Sequence, residues 1–196
     1  MLNKTFIALL VSAVLLQTAC SKQETSVTLS ASEAAAAAEA EANLSGNTNA
    51  VQTLSSNDGA MSITVPGKFT DSFNQAQQWL ELKEGDTLIL FQRDDDADVN
   101  LSAIHFTDAH KDTAADYFKR VIEALKNQTT IQNLEIQEAS NNRLNYRFSH
   151  ERDGVRLNES CAVLAAAEAQ YYAVCAAGSL LSADELTHYL DNITIK

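Results

Sequence analysis

The chain has 196 residues, with 14 Lys and Arg against 26 Asp and Glu, a formal net charge of −12, and 45% hydrophobic and 7% aromatic content. That length holds one ordinary domain with extensions, and the apolar content fits a packed core rather than wholesale disorder. The acid excess repels phosphate backbones and anionic headgroups, so nucleic acid is not expected as a partner and any membrane contact requires an anchor.

Residues 1–19 read as an export signal: Asn3-Lys4 gives a short positive start and Phe6 to Leu16 an apolar run too short to span a bilayer. Leu16-Gln17-Thr18-Ala19-Cys20 resembles the lipobox of bacterial lipoproteins, in which the cysteine thiol receives lipid and becomes the first mature residue. Gln17 stands where that pattern favours an apolar residue. The competing reading is ordinary cleavage nearby, leaving Cys20 a free thiol. Cysteine arithmetic favours the anchor: with Cys20 lipidated, Cys161 and Cys175 remain as one pair in an oxidising compartment. Ser21 follows the cysteine where aspartate would favour inner-membrane retention, so the outer membrane is the expected address.

Residues 20–58 are rich in Ser, Ala, Glu, Asn and Thr without an aromatic residue and read as a lipidated polar tether. The globular domain is expected over 59–196. Met61 to Val65 alternates and stops at Pro66-Gly67; Trp79 to Leu82 and Thr87 to Arg93 read as strands around Glu84-Gly85-Asp86; and Val99 to Phe106 is the next strand. Leu88 to Phe91, apolar on both sides, suggests a central strand. Thr113 and Asp116 have capping-box spacing ahead of a stripe of Tyr117, Phe118, Val121, Ile122 and Leu125, which predicts a helix on the sheet.

Leu134 and Ile136 mark a further strand, and Asp153-Gly154 suits a two-residue type I′ hairpin turn. That turn pairs Tyr146 with Cys161 and Glu151 with Arg156, an expected cross-strand ion pair. It sorts Leu144, Tyr146, Phe148, Leu157, Cys161 and Val163 to one face, with Glu159 the polar exception beside Phe148, expected near the sheet's end with its carboxylate reaching water or a partner. A turn centred on Glu168 sets Cys161 opposite Cys175 and predicts a cross-strand disulfide. Ser182 and Glu185 have capping-box spacing that opens a helix with Leu186, Tyr189, Leu190 and Ile193 facing inward, and Ile193 to Ile195 reads as a short edge strand closing the sheet.

Chemistry-bearing patterns are sparse. His105, His110, His150 and His188 show no zinc-ligand spacing, and His105 reads as a satisfied core or rim histidine. Asp94, Asp96 and Asp98 begin like a calcium loop but lack its glycine and terminal glutamate, so the aspartates read as a polar turn. No phosphate-binding or nucleophile-elbow motif occurs. No catalytic residue, metal or cofactor is therefore expected. Arg143, Arg147, Arg152 and Arg156 concentrate on one hairpin of an acidic domain. They form a candidate grip for a carboxylate, phosphate or acidic surface, against the plainer reading of a solvated face partly neutralised by Glu151.

The order of these parts, with Met61-Ser62-Ile63-Thr64-Val65-Pro66, Ala114 to Leu125 and Asp191-Asn192-Ile193-Thr194-Ile195, resembles the DcrB-like bacterial envelope lipoproteins of the PsbP-like fold. The resemblance covers about residues 59–196. It implies an α+β fold, an antiparallel sheet with helices packed on it as an α/β/α sandwich, and a non-enzymatic role in envelope integrity or phage susceptibility. A lipid-anchored interaction module with an envelope protein partner is the leading expectation. A carrier of an apolar ligand, which needs a cavity between sheet and helix, is the alternative, and a hydrolase is disfavoured.

Overall fold

The computed structural model describes residues 50–106 and 113–196. In chain order the elements are β1 (Val51–Ser55), β2 (Met61–Pro66), β3 (Thr70–Asp71), a 3-10 turn (Phe73–Gln78), β4 (Thr87–Asp94), β5 (Val99–Phe106), α1 (Ala114–Lys126), β6 (Ile131–Ser140), β7 (Arg143–Arg152), β8 (Val155–Ala165), β9 (Tyr171–Gly178), α2 (Ala183–Thr187), a 3-10 turn (His188–Leu190) and β10 (Ile193–Ile195). Two antiparallel sheets result: a seven-stranded one in the order β3-β4-β5-β9-β8-β7-β6, and a three-stranded one in the order β1-β2-β10. Among the described residues no helix is long and apolar enough to cross a membrane.

The β7–β8 hairpin follows its sequence closely. Asp153 and Gly154 take φ of 50° and 78°, as a type I′ turn requires. Tyr146 pairs with Cys161, and Leu144 with Val163. Residues 166–170 then connect β8 to β9, and Cys161 and Cys175 face each other in register, joined by a disulfide with their Cα atoms 4.2 Å apart.

Period-two alternation gives the large sheet two apolar faces. On one, the α1 residues Phe118, Val121 and Leu125 pack on Leu144, Val163 and Ala173. Trp79 and Leu80 cover Phe91 on the same side. On the other, Met61, Ile63 and Val65 of the small sheet and Leu186 and Leu190 at α2 pack on Leu90, Leu101 and Val174. The layers are thus α1 with the 73–82 segment, the large sheet, and the small sheet with α2. The helices are capped as their sequences predict. Thr113 accepts from the Asp116 amide, and Ser182 and Glu185 form a reciprocal capping box.

Several expectations are corrected. β1 lies within the stretch assigned to the tether, so ordered structure begins by residue 51 rather than 59. Its side chains are mostly exposed, which hid its pairing with β2 from a hydrophobic reading. Trp79 to Leu82 is not a strand: Trp79 ends the 3-10 turn, and Trp79 and Leu80 turn together onto Phe91. β4 is covered on both faces, yet stands second from the edge behind the two-residue β3. β10 closes the small sheet, not the large one. The Cys20 anchor and His110 lie outside the described residues.

Candidate functional site

One face of the β6–β8 ladder is polar, and α2 stands beside it. Between them opens a groove of about 340 Å³, lined among others by Asn133, Arg147, Ser149, Arg156, Asn158 and Asp184. Its outer wall is β6, the edge strand of the large sheet. β6 bulges between Gln132 and Glu135, and Asn133 there takes φ of 53°. A bulge of this kind re-aims a side chain, and Asn133 Nδ2 donates to Ser149 Oγ at 3.1 Å.

The structure divides the four arginines. Arg147 and Arg156 meet in the groove. Arg147 donates to Glu135 and Asp184, which hold its guanidinium firmly protonated. Arg143 lies on the same face, but its Nη2 donates to the Leu190 carbonyl at 2.7 Å and its Nε to Asn145, and half-burial lowers its pKa. Arg152 does not belong to the set. Its place in the β7–β8 register puts it on the opposite face, where its Nη2 reaches the Gln78 carbonyl at 3.5 Å. Arg156 stands opposite Glu151, yet its Nη2 donates to Ser149 Oγ at 3.0 Å in place of the expected ion pair. Among the described residues Arg156 forms no ion pair. Glu135 and Asp184 both engage Arg147, so the groove's two carboxylates and two guanidiniums sum to zero, and the exposed Arg156 guanidinium is left outside the ion-pair cluster, flanked by amide and hydroxyl groups. Such a surface can accept a carboxylate by a two-point hydrogen bond.

A second polar assembly lies inside the core, on the α1 side of the sheet. Glu159 is 1% and His150 2% exposed, and His150 Nε2 lies 2.8 Å from Glu159 Oε1. Of the two outcomes expected for the Glu159 carboxylate, water or a partner, it finds the partner, His150, but within the core rather than near the sheet's end. Burial raises its carboxyl pKa, opposed by the hydrogen bond from His150 and by the charges of His150 and Arg152. Burial likewise raises the Tyr146 hydroxyl, with the Glu159 charge adding to it. The sequence register held the clue to this pair: His150 is two residues beyond Phe148 and shares its face, as Glu159 does.

The remaining candidates are structural. Asp94 Oδ1 accepts from the Asp96 and Ala97 amides and its Oδ2 from Lys68, while Asp98 Oδ2 accepts from Ser179. The aspartate loop is thus the polar β4–β5 turn. His105 stacks on Tyr172 with ring centroids 4.8 Å apart; its Nε2 has no hydrogen-bond partner among the described residues, so it is not the satisfied histidine expected. His188 is exposed beside Asp191. No protein-family model matches the chain, and no curated protein matches it either.

Proposed function

We propose that the chain is a lipid-anchored protein of the bacterial envelope, held through Cys20 on the periplasmic side, at the outer membrane by preference. It works without enzymatic chemistry as an interaction module, in the manner of DcrB-like proteins of the PsbP-like fold. The observation that supports this reading most is the groove between β6–β8 and α2, where Arg156 and Arg147 meet Asn133, Ser149 and Asn158 beside an edge strand. Its occupant is an extended or looped segment of an envelope protein carrying a carboxylate for Arg156. The apolar-carrier reading needs a chamber under α1, but Phe118, Val121 and Leu125 of that helix pack onto Leu144, Val163 and Ala173.

Two experiments test the proposal. Cys20→Ala should move the protein from the membrane to the soluble fraction; a variant that stays membrane-bound places the anchor elsewhere. Crosslinking in intact cells should give a discrete protein adduct that Arg156→Glu removes while the circular dichroism spectrum is unchanged. Lipid co-purifying with the unlipidated domain, with no adduct, supports the carrier instead.

A further inference from the structure

The His150–Glu159 pair has no part in the groove, and its place in the core is costly. A buried carboxyl–imidazole pair contributes little net stability next to an apolar pair of similar volume. It stands beside the disulfide: a Glu159 carboxylate oxygen, Cys161 Sγ and Cys175 Sγ all lie within 4.8 Å of one another, and all three residues are buried. They come from two neighbouring strands, Glu159 and Cys161 two apart on β8 and Cys175 opposite on β9, so one sheet face presents them together. His150, from β7, reaches the same carboxylate.

We propose that reduction of the Cys161–Cys175 bond converts this cluster into a binding site for one thiophilic divalent cation, of the zinc(II) class. Both thiolates and the Glu159 carboxylate are the ligands, and His150 orients the carboxylate from behind. The residue types fit, since zinc takes thiolate at about 2.3 Å and carboxylate at about 2.0–2.2 Å. Tetrahedral geometry then places ligand atoms about 3.5–3.8 Å apart, within side-chain rotation of the separations present. Ligating carboxylates are themselves held by hydrogen bonds from outer partners, and His150 takes that place here.

Charge supplies the second argument. Two thiolates and a carboxylate alone would put three negative charges in a low-dielectric core. A divalent cation at the cluster neutralises two of the three. The chemistry balances in two steps. An external dithiol gives two electrons and two protons to the disulfide, leaving two protein thiols and becoming a disulfide itself. The cation then displaces both thiol protons to solvent. Disulfide and metal are therefore alternative staples for the same two strands.

The test uses the full chain carrying Cys20→Ala, so that only the core pair reports, with cobalt(II) alone as the probe. After reduction, one cobalt per chain should bind, with a thiolate-to-cobalt charge-transfer band and tetrahedral visible bands; zinc(II) should displace it. The oxidised protein should bind none. Glu159→Gln should weaken binding at least tenfold while its oxidised form keeps the wild-type circular dichroism spectrum. If the reduced chain unfolds without metal, cobalt should restore the fold. The proposal is overturned by a reduced protein that stays folded without the charge-transfer band, by a reduced chain that metal does not refold, by equal binding in both redox states, or by wild-type affinity in Glu159→Gln.

Discussion

Gly178 shows how tightly single positions are constrained where the β4–β5 turn meets β9. A Cβ built there would press on the Asp98 backbone carbonyl, and backbone cannot swing away as a flexible side chain does. Gly178→Ala should lower stability by about 1–3 kcal/mol, measured as a fall in the urea midpoint with unchanged slope. Local chemistry of another kind sits at Ser182, whose hydroxyl accepts from the Glu185 amide. Ser182→Ala should cost about 1 kcal/mol in the same assay. Hydrogen bonds from the Ser182 hydroxyl and amide hold the Glu185 carboxyl below its ordinary value. Its folded pKa is then below its unfolded one, so its contribution is complete above the ordinary glutamate pKa and is lost as pH falls through the lowered value. Glu185→Gln should flatten the acid limb of the stability profile; an unchanged limb would contradict this. Both caps were legible because a capping box is written within four residues. The His150–Glu159 contact was not, because two strands had to be placed before their polar members could be seen to meet.

Elements were legible where a strong local signal coincided with periodicity. The Asp153-Gly154 turn fixed the β7–β8 register, and the turn centred on Glu168 fixed the facing of Cys161 and Cys175. Replacing both cysteines with alanine should cost about 3 kcal/mol for a loop of about 15 residues, read from the denaturant midpoint of oxidised wild type against the double variant; equal midpoints would show that the bond is not formed. Legibility failed where apolar residues lacked a partner pattern. Trp79 and Leu80 look like part of a strand, yet both settle on Phe91 as one side of a wrapped segment, with the Arg93 guanidinium 4.4 Å above the Trp79 ring. β1 failed in the opposite sense: Val51 to Ser55 buries little, and backbone pairing to β2 defines it.

At the scale of the molecule, an antiparallel sheet with helices against it was the expected α+β arrangement, and two antiparallel sheets with short helices are present. The second sheet was hidden because β2 and β10 meet from opposite ends of the domain, with 126 positions between Pro66 and Ile193. The arginine patch was half legible. Sequence proximity placed four cations on one hairpin, but strand pleat sends Arg152 to the far face and α2 supplies Asp184 to engage Arg147. What remains for a partner is the exposed Arg156 beside the bulged edge strand. Site-specific photo-crosslinking in intact cells compares a photoreactive residue at Arg156 with one at Lys119, an exposed position on α1. The account predicts a discrete adduct with one protein from position 156 and none from position 119; equal labelling from both, or none from position 156, would contradict it.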